Sequence, residues 1–325
     1  MIALLAPGQG SQSPGMLAPW LELDGARDRI EGWSAATGLD LVRLGTTADA
    51  EEIKDTAITQ PLIVAQTLLA YEHLSNGNGN GNGNTVALPA DAPVAGHSVG
   101  ELAAAAIAGV LSADDAVALA AVRGAAMAAA CALEPTGMAA VMGGDPDEVA
   151  ARLASFDLVP ANRNGAGQIV AAGSLAALDA FVAEPGPGIK VIRLKVAGAF
   201  HTHYMASAED ALRERAKDIT AKDPNRPLLS NADGAVVTSG AEMLLRLIAQ
   251  VTLPVRWDLC MATLGSAGIS GTIELPPGGT LSGLVKRELK GTATLPLKTP
   301  DSLAKVADLL TEPVAAGQVP DRSAN

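Results

Sequence analysis

The sequence predicts an α/β protein whose large domain has a parallel sheet as its core and which carries a small inserted α+β domain. One observation is a short apolar run, Pro93 to Ala95, that enters a Ser-centred turn and is followed by an Ala-rich helical stretch. The other is a change of pattern between about residues 130 and 197, where short strands and helices alternate. The length of 325 residues is sufficient for one large domain or two unequal ones.

The first strand and the loop after it stand at the start of the sequence. Ile2 to Ala6 is a short apolar run that Pro7 ends, which predicts a buried strand. The loop from Gly8 to Gln12 is similar to a dinucleotide-binding fingerprint, but Ser13 stands where the third glycine would be, and no βαβ spacing with an acidic residue follows. We therefore expect this loop to place backbone N–H groups near an oxyanion.

A strongly apolar helix precedes the Ser-centred turn. Pro61 is predicted to lie in its first turn, because proline lacks the backbone N–H that the first turn of a helix leaves unbonded. The helical pattern ends at Asn76. From Asn76 to Asn84 asparagine and glycine alternate, which is typical of a flexible surface loop.

The motif Gly96-His97-Ser98-Val99-Gly100 has the G-x-S-x-G form of a nucleophile elbow, in which a strand turns sharply into a helix with the serine at the apex. Glycines on both sides of the serine relieve the crowding of so tight a turn. The elbow is typical of α/β-hydrolase-like sheets, so the large domain is predicted to be of that kind. A chance match is the alternative, because the chain contains 34 glycines.

Arg123 lies in an otherwise apolar helix that Ser112 is predicted to cap. A buried charge needs a partner, so an arginine among alanine and valine would have a function if it were buried. The alternative is a solvated arginine whose methylene groups lie along the apolar face of the helix. Helical spacing alone favours the solvated arginine.

From Cys131 to about Lys195 the pattern is β-α-β-β-α-β, which predicts a ferredoxin-like small domain inserted into the large one. Its predicted strands are 138–142, 157–160, 168–173 and 189–194, and Asp145 and Ser174 are predicted to cap its helices. The predicted organisation is a first part of the large domain at 1–129, the inserted domain at 130–197, the second part at 198–310 and a loose tail at 311–325. Gly271 to Leu275 is predicted to be the last core strand.

Composition and charge disfavour several classes of protein. The net charge of −12 and an aromatic content of 2% argue against a nucleic-acid-binding protein, which needs clustered cations and stacking surfaces. The N-terminal apolar run is too short for a signal peptide, and the uncharged stretch from Leu102 to Ala113 is too short for a membrane span. We therefore expect a cytoplasmic protein. Cys131 and Cys260 are expected to be free thiols, because two cysteines do not make a disulfide framework.

Ser98 needs a base, because a serine hydroxyl is a poor nucleophile at neutral pH. The chain has four histidines, at positions 73, 97, 201 and 203. His201 and His203 lie where the chain re-enters the large domain, which is a suitable place for a catalytic base, and spacing does not choose between them. The pair is a poor zinc site, because no clear carboxylate or thiolate ligand accompanies it.

Several motifs together resemble the malonyl-CoA:acyl carrier protein transacylase family, in its actinobacterial form. They occur in the order of the family and cover nearly the whole chain, from Ile2 to about Lys298. The Asn–Gly tract and the C-terminal tail depart from the family and touch no motif residue. The matching segments are Pro7 to Gln12, Gly96 to Glu101, Arg123-Gly124, Asn162 with Gly167 to Val170, Ala199 to His201, Gln250 with Pro254 to Trp257, and Pro277-Gly278.

The resemblance implies the catalytic roles. Ser98 is then the nucleophile that carries the malonyl group as an ester, and His201 is the general base and afterwards the acid. The backbone carbonyl at Gln250 orients the imidazole in place of a carboxylate. The backbone N–H groups of Gln9 and Val99 form the oxyanion hole.

The resemblance also implies how the acyl group is bound. Arg123 grips the free carboxylate of malonyl through a bidentate pair, and Asn162 is another substrate-binding residue. Phe200 precedes the base in the form linked with malonyl rather than methylmalonyl selection, and Val99 agrees with that form. Simple packing is the alternative for Phe200. Neither a cofactor nor a metal is implied.

The implied function is transfer of malonyl from malonyl-CoA to the phosphopantetheine thiol of acyl carrier protein, a ping-pong reaction that supplies extender units for fatty-acid synthesis. Those two molecules are the implied partners, and neither nucleic acid nor a membrane is among them. An acyltransferase of a polyketide pathway has the same chemistry. A serine hydrolase would need an acid between Ser98 and His201 and a His-Gly-Gly motif, which the sequence lacks. A non-catalytic scaffold is disfavoured, because Ser98, Arg123 and His201 are all present.

Overall fold

A computed structural model describes residues 1–76 and 88–311 of the chain. Residues 77–84 of the Asn–Gly tract and residues 312–325 of the predicted tail lie outside these ranges. The described residues form an α/β fold in which helices cover two β-sheets.

The described residues contain eleven strands. They are β1 (Ile2–Ala6), β2 (Val94–Gly96), β3 (Thr136–Met142), β4 (Val159–Gly165), β5 (Gln168–Ser174), β6 (Lys190–Arg193), β7 (Leu228–Leu229), β8 (Val236–Val237), β9 (Val255–Arg256), β10 (Gly271–Glu274) and β11 (Ala293–Pro296).

The same ranges contain twelve α-helices, of which none is both long enough and apolar enough to cross a membrane. They are α1 (Ala26–Thr37), α2 (Leu41–Thr46), α3 (Thr56–Ser75), α4 (Gly100–Ile107), α5 (Ala113–Cys131), α6 (Pro146–Ala154), α7 (Leu175–Ala183), α8 (Ala206–Ala216), α9 (Gly240–Ala249), α10 (Trp257–Ser266), α11 (Thr280–Glu288) and α12 (Ala304–Thr311).

The first sheet has the strand order β11-β10-β1-β2-β7-β8. Its neighbours are parallel except for β8, which is antiparallel to β7. Successive side chains of a strand point to opposite faces, and β1 is buried on both. Leu4 joins an apolar cluster with Leu62 of α3, whereas Leu5 joins a cluster with Trp257 of α10. Helices therefore cover both faces of this sheet, as the continuous apolar run of β1 predicts.

The second sheet has the strand order β6-β3-β5-β4-β9. The four strands β3 to β6 pair antiparallel, whereas β9, from later in the chain, pairs parallel with β4. The prediction of a strand at 157–160 is wrong in extent, because β4 starts at Val159 and continues to Gly165. Its second half, Asn162 to Asn164, is polar and has no apolar pattern to reveal a strand.

The predicted helix caps are confirmed. Ser112 Oγ accepts a hydrogen bond from the backbone N–H of Asp115 at 3.0 Å, and Ser174 Oγ accepts one from Ala177 at 3.1 Å. The Asp145 carboxylate accepts two, from the first turn of α6. Each of these side chains satisfies N–H groups that the start of a helix leaves without a backbone partner.

The predicted start of the helix at Pro61 is wrong. α3 begins at Thr56, five residues before Pro61, because the Asp55 carboxylate caps it by accepting the N–H of Ala57 at 2.8 Å. Its first turns contain the buried polar residues Thr56, Thr59 and Gln60, which the apolar pattern misses. The last fully buried strand is β10, as predicted for Gly271 to Leu275, and the half-buried β11 extends the sheet beside it.

Candidate active site

Ser98 lies at the sharp turn between β2 and α4. Its φ is 53°, in the left-handed region that residues with a Cβ rarely adopt. The backbone approaches itself so closely that a Cβ on Gly96 would lie 2.2 Å from the carbonyl carbon of Gly100. A Cβ on Gly100 would lie 2.3 Å from the carbonyl oxygen of Ala6. Only glycine fits at either position, as expected for a nucleophile elbow.

His201 lies beside Ser98 and is almost completely buried. Its Nε2 is 2.8 Å from Ser98 Oγ, and its Nδ1 is 2.8 Å from the backbone oxygen of Gln250. A carbonyl oxygen can only accept, so Nδ1 carries the proton and Nε2 offers a lone pair to the serine hydroxyl. His203 is exposed and its ring lies 4.2 Å from that of Tyr204, so His201, and not His203, is the histidine beside Ser98.

Arg123 is 2% exposed, so the solvated arginine favoured by helical spacing is wrong. Its Nη1 donates to Gln60 Oε1 at 2.7 Å, and its Nη2 donates to Gln250 Oε1 at 2.9 Å. The same Nη2 is 3.3 Å from Ser98 Oγ. Buried amide oxygens therefore hold the guanidinium against the serine, and burial lowers the pKa of Arg123 only to about 10, so it stays charged at neutral pH.

Burial lowers the pKa of His201 to about 3, and the positive charge of Arg123 acts in the same direction. The imidazole is therefore unprotonated at neutral pH, which is the state that a base needs.

We expect the rate of Ser98 acylation to be flat from about pH 5.5 to 8, because a lowered pKa keeps His201 in its basic form on the acid side of the usual histidine range. Single-turnover acylation at a series of pH values measures this. Fluorescence of the buried Trp20, Trp33 and Trp257 at each pH controls for unfolding. An acid limb with an apparent pKa near the ordinary histidine value would contradict the expectation.

A cavity of about 460 Å³ opens onto Ser98 and His201. Gln9, Asn162 and Phe200 line it, so the structure brings these three predicted residues to the same place. The helix α11 and the loop before it form another wall. The volume is within the range of small-molecule sites.

Val99 directly follows Ser98 in the chain, and Gln9 lines the same cavity as Ser98. In residues 1–76 and 88–311, neither residue's backbone N–H donates to another protein group. The side chain of Gln9 is held by a 3.2 Å hydrogen bond from its Nε2 to Thr56 Oγ1. Val99 is buried beneath the turn.

His97 neighbours Ser98 in sequence but is held by other residues. Its Nε2 is 2.9 Å from Asn164 Oδ1, and its ring meets Trp257 edge-on at 5.6 Å. Burial lowers its pKa, so it is neutral at neutral pH. Ser98 therefore has His201 as its partner, although His97 lines the same cavity.

A family described as acyl transferase domain matches residues 4–294 of the chain. The chain belongs to this acyl transferase family. Among its relatives, a protein of Mycobacterium tuberculosis named malonyl CoA-acyl carrier protein transacylase is 58% identical over 309 residues, covering 95% of this chain and 100% of the relative. A protein of the same name from Mycolicibacterium smegmatis is 60% identical over 292 residues, covering 89% and 98%.

The fold is likewise that of this family. The crystal structure of MCAT from Mycobacterium tuberculosis matches with a TM-score of 0.89 and 57% identity, over 94% of this chain and 99% of that one. The resemblance drawn from the motifs, including its actinobacterial form, is therefore confirmed at the level of family.

Asn231 is a site residue of this family member that the sequence did not indicate. Its Oδ1 accepts the backbone N–H of Ser98 at 2.8 Å, and its Nδ2 donates to the carbonyl oxygen of Gly96 at 2.8 Å. One amide thus fastens both sides of the strained turn. Its position two residues after β7 is a usable signal, because the carboxyl ends of neighbouring parallel strands meet at one edge of a sheet.

The sequence pattern also does not indicate Gln60 and Glu101 as residues of the site. Gln60 stands just before Pro61, in the polar start of α3, where it accepts from Arg123. Glu101 is 1% exposed, and burial raises its pKa, whereas two N–H donors and the charge of Arg123 act against the rise. A glutamate next to the elbow glycine suggests a residue of the site, but the sequence does not reveal that its carboxyl group is buried.

Proposed function

We propose that the chain transfers the malonyl group from malonyl-CoA to the phosphopantetheine thiol of acyl carrier protein through a malonyl ester on Ser98, and so supplies extender units for fatty-acid synthesis. The observation that carries the proposal is the meeting of two groups at one oxygen. His201 Nε2 lies 2.8 Å and Arg123 Nη2 lies 3.3 Å from Ser98 Oγ. A nucleophile, a base and a cation suited to a carboxylate therefore converge.

In the first half-reaction, His201 Nε2 removes the hydroxyl proton as Ser98 Oγ attacks the thioester carbonyl carbon. The oxygen of the tetrahedral intermediate becomes an anion, which the N–H groups of Gln9 and Val99 stabilise. As the intermediate collapses, the C–S bond breaks and His201 gives its proton to the leaving CoA sulfur. The product is CoA and a malonyl ester on Ser98.

In the second half-reaction, the phosphopantetheine thiol enters the cavity that CoA has left. His201, neutral again, removes the thiol proton while the sulfur attacks the ester carbonyl. Collapse breaks the C–Oγ bond and returns the proton to Ser98. These steps are the reverse of the first half-reaction with a different thiol, so His201 acts as the base in both half-reactions.

Arg123 would select the acyl group, because its guanidinium can form two parallel hydrogen bonds with the free carboxylate of malonyl. Phe200, which is buried against the same cavity, would crowd an α-methyl group, and one methyl is worth about 1–3 kcal/mol of discrimination. Asn162 on β4 faces the cavity and would contact the substrate as well.

A serine hydrolase is the second candidate, and an acyltransferase of a polyketide pathway would use the same chemistry as the first. The hydrolase is disfavoured because Nδ1 of His201 meets the backbone oxygen of Gln250 and not a carboxylate. Arg123 would also have no part in hydrolysing a neutral ester.

We also propose a description of the parts of the fold. The strand order β6-β3-β5-β4, with α6 and α7 in the crossings, supports a ferredoxin-like domain at 130–197. The first sheet with its elbow at Ser98 supports a large α/β-hydrolase-like domain made of 1–129 and 198–310, with a tail at 311–325. A cytoplasmic location belongs to the same proposal, by analogy with the family.

The fate of the acyl group tests the proposed function. Protein loaded with malonyl-CoA and freed of excess substrate is mixed with phosphopantetheinylated acyl carrier protein, and malonyl carrier protein and free malonate are measured over time. We expect transfer to the carrier thiol to exceed hydrolysis by about a hundredfold or more. Carrier protein without phosphopantetheine is the control. Release as malonate at the same rate with either carrier would favour the hydrolase.

A further inference from the structure

Glu101 is a buried acidic residue three positions after the nucleophile, and the steps above do not use it. Its Oε1 accepts the backbone N–H of Asn231 at 2.6 Å, and its Oε2 accepts from the side-chain amide of Gln250. Burying a carboxyl group costs free energy unless hydrogen bonds compensate. Both oxygens of Glu101 accept from N–H donors, which is the arrangement of an ionised carboxylate, and the charge of Arg123 favours the same form.

The side-chain amide of Gln250 lies between Glu101 and Arg123. Its Nε2 faces acceptors: Glu101 Oε2, the Ser98 carbonyl oxygen at 3.2 Å and Asn231 Oδ1 at 3.4 Å. Its Oε1 accepts from Arg123 at 2.9 Å. A guanidinium has only donors, so the amide can serve both neighbours in a single orientation.

We infer that Glu101 is a positioning residue, which fixes the side-chain amide of Gln250 so that Arg123 is held toward Ser98 and favours an acyl group with a free carboxylate. The inference rests on the proposed malonyl transfer. Gln250 then has two separate roles. Its backbone oxygen orients His201, and its side-chain amide, held by Glu101, accepts from Arg123 and so fixes the guanidinium.

The consequence of losing Glu101 follows from this geometry. A glutamine at position 101 can offer an oxygen to only one of its two donors, the Gln250 amide or the Asn231 backbone, and presents N–H to the other. If the Gln250 amide turns over, its NH₂ faces the guanidinium, and Arg123 loses an acceptor while its charge remains buried. Binding of a carboxylate-bearing acyl group then suffers more than binding of a neutral one.

The test is the ratio of single-turnover acylation rates with malonyl-CoA and acetyl-CoA, measured by intact mass. We expect Glu101→Gln to lower the malonyl-to-acetyl ratio about tenfold. Glu242→Gln is the matched control and should keep the parent ratio. Glu242 lines a second cavity together with Glu101 and Gln250, but its carboxylate pairs with Arg246 at the surface.

Gln250→Ala keeps the backbone oxygen that orients His201 and should lower the ratio by a similar factor on its own. In that background Glu101→Gln should change the ratio no further, because the residue it acts through is gone. The inference is overturned if Gln250→Ala keeps the parent ratio, even where Glu101→Gln does not fold, or if Glu101→Gln lowers the ratio equally in both backgrounds. A parent that forms no malonyl adduct would instead reject the proposed function.

Discussion

Replacing Arg123 with Ala should lower the rate of malonyl transfer by about a hundred- to a thousandfold and acetyl transfer by far less. Arg123 is the cation next to Ser98 Oγ, and its charge is buried with amide oxygens as partners. A malonyl carboxylate brought into this site without Arg123 would lose its water and find no counter-charge. Acetyl has no carboxylate, so its loss should reflect only the disturbed serine environment.

Two further variants separate loss of carboxylate binding from loss of folding or a general surface effect. Arg123→Lys keeps the charge but cannot form two parallel hydrogen bonds, so it should recover part of the malonyl rate. Arg123→Ala leaves the buried oxygens of Gln60 and Gln250 without a donor, which can prevent folding. Arg123→Lys keeps a donor there, so it tests the prediction even if Arg123→Ala does not fold. Arg213→Ala, on the exposed face of α8, is the matched control and should behave like the parent. Equal losses of malonyl and acetyl transfer in Arg123→Ala would remove its role in carboxylate binding.

The parts of the site that the sequence predicts are those encoded by neighbouring residues. The elbow is recognisable because the two glycines that the turn requires stand two positions from Ser98. The helix caps at Ser112, Asp145 and Ser174 are equally local. In each case the residue that makes the contact and the residue that needs it lie within a few positions.

The parts that local pattern misses depend on contacts between distant segments. His201 is distinguished from His203 by the backbone oxygen at position 250, which no spacing rule could connect to it. Arg123 has the pattern of a solvated residue because its partners, Gln60 and Gln250, come from α3 and the end of α9. For both residues resemblance to a family implies the proposed role, and the fold supplies the contacts that support it.

Polar residues inside the fold account for the remaining differences. α3 begins in a buried polar segment and β4 ends in one, so both boundaries escape an analysis based on apolar periodicity. Asn231 escapes for the same reason, since a buried asparagine at a strand end has the composition of an ordinary turn. Among the described residues, the buried polar side chains at the site are Gln60, Glu101, Arg123, Asn162, His201, Asn231 and Gln250.

The central claim is that Ser98 carries the acyl group, and intact mass spectrometry after mixing with malonyl-CoA alone tests it most directly. The parent and Ser207→Ala, a control on the exposed face of α8, should each gain the mass of one malonyl group, and peptide mapping should place it on Ser98. Ser98→Ala should gain none and lose about 10⁴-fold or more in transfer. An adduct that persists on Ser98→Ala, or transfer at the parent rate without Ser98, would contradict the account.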